Sequence, residues 1–162
     1  MTLLEQINEK CTAELIASRN DVAIAASVSE GRTRINPTEK FSSLGISAGF
    51  PIINGLPGPL AAELVLQKLE RFAATAAAAD EIPTQLLGGA IVRQMKHLEG
   101  DGMAVGSPAL IDLLKTIVAA GVLTQEESDA LVNVAAEHDP VSVSAVSDAL
   151  NAAQGLKTLK DL

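Results

Sequence analysis

The chain has 162 residues, 48% of them apolar but only 2% aromatic, with three Phe and neither Trp nor Tyr. That length suits one domain or two small helical lobes that bury roughly two thirds or more of the unfolded surface, and the core must be made of Ala, Leu, Ile and Val. A formal charge of −8 argues against a general affinity for nucleic acid phosphates, and the single cysteine, Cys11, excludes an internal disulfide.

Met1 to Glu5 lacks the basic segment and following apolar run of a secretory signal. The alanine-rich stretch from Phe72 to Ala79 is bounded by Arg71 and Asp80, well short of the ~20 residues that cross a bilayer. A soluble protein assembled in a cytoplasm is expected. Thr2 to about Ser18 reads as one amphipathic helix, with Leu4, Ile7, Cys11 and Leu15 on its apolar side. Asn20 or Asp21 can cap a second, short helix through Val22, Ile24, Ala25 and Val28, which Gly31 ends. These two helices should pack as a hairpin spanning 1–31.

From 32 to 58 the helical period disappears, and Pro37, Gly45, Gly49, Pro51, Gly55, Pro57 and Gly58 punctuate the segment. Loops longer than ~15 residues are uncommon inside compact domains and are usually functional or disordered. This one carries Phe41, Leu44, Ile46, Phe50, Ile52 and Ile53, too apolar a set for a solvated linker. Two readings follow. The segment is either an Ω-like loop folded over its own helices or an arm that docks on another subunit or protein, with Phe41 and Phe50 as anchors. Arg32 and Arg34, at its start, could grip carboxylates of a neighbour or pair with acidic residues of their own chain.

The remainder, 59–162, reads as a helical bundle within one domain overall. Pro59 to Ala79 is the longest helix candidate, with Ala61, Leu64, Val65, Leu69, Phe72 and Ala76 along one side. Pro83 starts another, bearing Leu87, Ala90, Ile91, Met95 and Leu98; its paired Gly88 and Gly89 each cost about 1 kcal/mol relative to Ala and suggest a close crossing or a bend. Ser107 and Pro108 open a helix with Leu110, Leu113, Leu114, Ile117 and Val118 in its stripe, and Gly121 stops it. Thr124 and Glu127 fit a capping box for the next, which should run to Asp139 and Pro140. Ser142 can cap a last helix carrying Val143, Val146, Leu150 and Ala153, and 156 to 162 is a short tail. The expectation is an all-α fold of about six helices: an N-terminal hairpin, a long irregular apolar loop, a central pair and a C-terminal three-helix unit. Strands, if present, should be short pieces near Arg34 and Val105.

No catalytic pattern emerges. His97 and His138 stand in no ligand or triad spacing, and no paired Cys, His or carboxylate spacing suggests zinc. Glu99 to Gly102 lacks the alternating ligands and closing glutamate of a calcium loop, and the serines form no nucleophile elbow. A DNA reader is disfavoured because Glu126 and Glu127 open the helix that would face phosphates. The protein is expected to be no enzyme and to need no cofactor or metal.

Two segments resemble a known family. One is Ser18 to Arg34 (SRNDVAIAASVSEGRTR); the other runs from Gly106 (GSPAL) through Gly121 to Glu127 (GVLTQEE) and on to Ala136 to Ser142 (AEHDPVS). Together they look like small helical proteins encoded among the structural and tail genes of tailed bacteriophages and prophages. The resemblance implies a component of the virion's head, neck or tail, or of its assembly, made in the bacterial host cytoplasm. Its partners would be other virion proteins or copies of itself, as a homo-oligomer or in multiple copies. These are not catalytic motifs, and no functional residue is carried over. The alternative is a phage or bacterial regulatory protein that binds a host protein through the same loop.

Overall fold

A computed structural model describes residues 1–155. The protein is mostly helical, with nine helices and two short strands among the described residues. In chain order these are α1 (Leu3–Lys10), α2 (Ala13–Ala17), α3 (Asp21–Ser29), β1 (Thr33–Ile35), α4 (Ser43–Gly49), α5 (Gly58–Ala76), α6 (Ile82–Glu99), α7 (Pro108–Ala119), α8 (Gln125–Asn133), β2 (Ala136–His138) and α9 (Val143–Ala153). β1 and β2 pair with each other. The tail after Gly155 lies outside the described residues.

The chain divides into two compact units, and the divisions fall at neither 31 nor 58. One unit is Met1–Arg34 together with the chain from His138; the other is Ile35–Glu137.

In the first unit, the single helix expected over 2–18 is two helices. Cys11 leaves helical geometry at φ −113° and ψ 145°, and the Thr12 hydroxyl accepts from the Leu15 amide at 3.2 Å, starting α2. A threonine that can satisfy a helix start competes with continuing the helix through it. α1 begins on a capping box of Thr2 and Glu5, and α3 on Asn20, which accepts from the Ala23 amide. The core here is Ile7, Cys11, Ile24, Ala25, Val28, Val146 and Leu150. The last two belong to α9. The C-terminal three-helix unit is therefore not formed: α9 turns its stripe to α1 and α3 instead. Ser29 ties the pieces together, donating to the Ala25 carbonyl at 2.6 Å and accepting from the Val141 amide at 2.8 Å.

The second unit holds the larger core, in which Ile46, Phe50, Ile53, Val65, Leu69, Ile91, Leu114, Ile117 and Leu131 are all buried. The segment expected to be irregular contains a helix, α4, capped by the Ser42 hydroxyl on the Gly45 amide at 3.2 Å. It also contains a tight hairpin. Ile53 and Leu56 exchange backbone hydrogen bonds across Asn54 and Gly55, whose φ values of 52° and 74° are the left-handed geometry of a two-residue turn. Phe41 and Met103 form a bridge close to the expected strand piece at Val105.

The helix expected to reach Asp139 stops at Asn133, and 136–138 is strand. The backbone beyond it finds partners elsewhere: the Asn36 amide donates to the Ala135 carbonyl at 2.8 Å, and the Asp139 amide to the Arg32 carbonyl at 3.1 Å.

α5 and α6 lie together along their lengths, and the adjacent glycines of α6 play different parts. A Cβ on Gly88 would stand 2.5 Å from the Ala76 Cβ of α5, so that glycine permits the close crossing. At Gly106 a Cβ would fall 2.2 Å from the Asn36 carbonyl oxygen and 2.6 Å from the Ile35 Cγ2. Gly106→Ala is therefore expected to cost about 2 kcal/mol by forcing backbone apart, read as a lowered thermal midpoint.

Candidate protein interface

Four residues were candidates either for meeting a partner or for contacts within their own chain, and each has a place within the chain. Arg32 sends Nη2 to Asp139 Oδ2 at 2.7 Å and Nη1 to Gln6 Oε1 at 3.2 Å. Both partners lie in its own unit. Arg34 sits in the middle of β1 with its side chain exposed, and it too is engaged within the chain. Phe50 is only 7% exposed, inside the core of the second unit, and Phe41 is half-buried against the same core. The four do not gather in one unit.

The outward-facing residues of this segment are different ones. Leu44 on α4 is 78% exposed and Ile52, just after it, 74%; Leu60 at the start of α5 is also exposed. Their direction follows from the local geometry. Ile46 and Phe50 take the inner side of the α4 turn, and Ile53 is buried beside the Asn54 to Gly55 turn, which leaves Ile52 on the opposite side of the extended backbone. A surface groove of about 400 Å³ adjoins Ile52 and is lined by Pro51, Ile53, Glu126, Asp129, Ala130 and Asn133. It has an apolar wall and an acidic one, which suits a segment carrying apolar and basic side chains. Sequence reading put Leu44 and Ile52 in the same apolar set as the rings but gave them no separate role. Their signal is the pattern around Ile52-Ile53-Asn54-Gly55, where a tight turn forces neighbouring apolar residues to opposite faces.

The strongest electrostatic feature is structural. Glu127 is 1% exposed, with one carboxylate oxygen 2.5 Å from Lys68 Nζ and the other 2.9 Å from the Thr124 amide. Burial pushes its carboxyl up; the Lys68 hydrogen bond, the Thr124 amide and the Lys68 charge outweigh this and hold it below the ordinary value. With both oxygens engaged, it presents no open face to a substrate. Asp101 is held low first by a hydrogen bond from Lys40 at 2.9 Å, on an exposed surface where such pairs contribute little. Among the described residues no group of three or more His, Cys, Asp or Glu is placed to hold a metal ion, and no helix is long and apolar enough to cross a membrane.

Comparison with protein-family models, curated proteins and solved structures finds no match.

Proposed function

We propose that this protein is a non-enzymatic structural or assembly protein of a bacteriophage particle, a head, neck or tail component present in several copies and held by protein contacts. It would be assembled in the bacterial host cytoplasm and reside in the virion. The observation that supports a contact role is the exposure of Leu44 and of Ile52, the latter in an acidic-walled groove, since large apolar side chains left in water next to a concave site mark protein contacts. The particle setting rests on the resemblance of Ser18 to Arg34 and of the segments between Gly106 and Ser142.

Mass spectrometry of purified particles tests it. The polypeptide is expected there in multiple copies; abundance in infected cytoplasm with absence from particles would favour a regulator of a host protein. The double variant Leu44→Glu, Ile52→Glu should keep its thermal midpoint to within about 0.5 kcal/mol of stability, because both side chains are already in water. Its incorporation into particles should fall sharply.

A further inference from the structure

The outer face of α6 is left exposed among the described residues, and its composition is unusual for a solvated face. Ile82 is 68% exposed, Leu86 67% and Val92 40%. With 3.6 residues per turn these three share a face with Gly89, Arg93 and Lys96, and Gly89 lies at its centre.

Gly89 is the informative residue. Its neighbour Gly88 is explained by the crossing with Ala76, whereas a Cβ on Gly89 would meet nothing closer than the Arg93 Nη1 of its own helix, at 3.9 Å. Glycine in a helix interior is unfavourable relative to alanine, and nothing among the described residues requires it here. A close approach from outside the chain would account for it.

The charges specify which approach. Asp80 and Glu81 stand at the start of α6, and Arg93, Lys96 and His97 near its end. Asp80, Glu81, Arg93 and Lys96 have no ion-pair partner among the described residues, while His97 already acts on Asp101. A second α6 running antiparallel, with the two-fold axis beside Gly89, brings the acidic start of each helix to the basic end of the other. In that register Leu86 lies level with Val92 of the second copy, and Ile82 packs on the aliphatic stem of its Lys96. Glu81 comes within reach of the same lysine's ammonium. The face is self-complementary in apolarity and charge, as an isologous interface demands.

We infer that the outer face of α6 is a homodimer interface, in which two copies pack antiparallel about Gly89. This deepens the multi-copy part of the proposed function by naming the surface and the partner. It is tested on the purified full chain without particles, so its failure and the failure of the virion role are separable.

Sedimentation velocity across a concentration series should show the natural chain passing from monomer to dimer. Gly89→Leu fills the crossing point and should weaken self-association by at least about tenfold. Its thermal midpoint, measured at a dilution where the natural chain is monomeric, should stay level or rise, because leucine favours the helix and the space is open within the monomer. Leu86→Glu should weaken association similarly.

Register is read by cysteine pairing. Glu81→Cys and Lys96→Cys chains, mixed and oxidised, should form a cross-linked heterodimer, while either alone should not, since like positions lie roughly 21 Å apart or more in the antiparallel pair. A natural chain that stays monomeric throughout the series, a Gly89→Leu chain that dimerises as tightly as the natural one, or homodimer cross-links in place of the heterodimer would each overturn the inference.

Discussion

Phe50→Ala is expected to destabilise the protein by about 3 to 5 kcal/mol, the usual cost of emptying a buried aromatic site. The ring is 7% exposed and shares its core with Ile46, Ile53, Val65 and Leu69. The segment that supplies it is held at both sides: Ile46 is buried in α4, and a Cβ on Gly58 would stand within 2.0 Å of the Phe50 carbonyl oxygen. A chain so closely applied cannot collapse far into the vacated space, and this keeps the cavity cost high. Phe41→Ala should cost less, because that ring is only half-buried. Urea unfolding followed by circular dichroism at 222 nm is the suitable measurement, since the chain lacks Trp and Tyr. The two readings of the 32–58 segment separate here. A loss under about 1 kcal/mol, with the variant excluded from particles, would return Phe50 to the role of a docking anchor; the full loss assigns the ring to its own core.

Lys68→Met is expected to cost about 3 kcal/mol at neutral pH. Lys68 is one third exposed, but the Glu127 carboxylate it neutralises is almost fully buried, at 2.5 Å. Removing the ammonium leaves a charge in the core with only Thr124 among the groups that lower its pKa. The pH dependence carries a sign. In the natural chain the folded carboxyl is held below its unfolded value, so its contribution is fully present above the unfolded pKa of about 4.3 and is lost as pH falls through the lowered folded one. Without Lys68 its hydrogen bond and charge no longer oppose burial, so the folded pKa moves up and acidification costs the variant less than the natural chain. The gap between natural and variant midpoints should therefore narrow from pH 7 to pH 4; a gap that widened would mean that Glu127 is not the group left unpaired.

The sequence announces starts and stops well and partners poorly. Ser107, Thr124 with Glu127, and Ser142 cap α7, α8 and α9 as their spacing implies, because a cap is a local hydrogen bond three residues long. Thr12 makes the same kind of bond within the span read as one helix, and there the apolar period masked it. The stripe of Val146 and Leu150 is plain in the sequence, yet periodicity says which face is apolar and nothing about what covers it; the answer is α1 and α3, far back in the chain. The turn at Asn54 and Gly55 carries one of the strongest short-range hairpin signals, and the many surrounding glycines and prolines hid it. For the candidate interface, the apolar residues of the segment were visible but their direction was not. Aromatic rings are the commoner anchors, and here they face inward while Leu44 and Ile52 face out. In α6 the paired glycines suggested one crossing, whereas neighbours 100° apart on a helix look in different directions.

The first unit draws on both sides of the second, and that order has a consequence at the ribosome. Ile7, Ile24 and Val28 are made early, but Val146 and Leu150, which share their core, follow only after 35–137 has been translated. At elongation rates of about 5 to 20 residues per second, those early helices wait on the order of ten seconds with an apolar face uncovered. The second unit, contiguous in the chain, can close meanwhile on its own contacts. Synthesis thus leaves the nascent helices α1 to α3 with that face exposed for far longer than helices take to form.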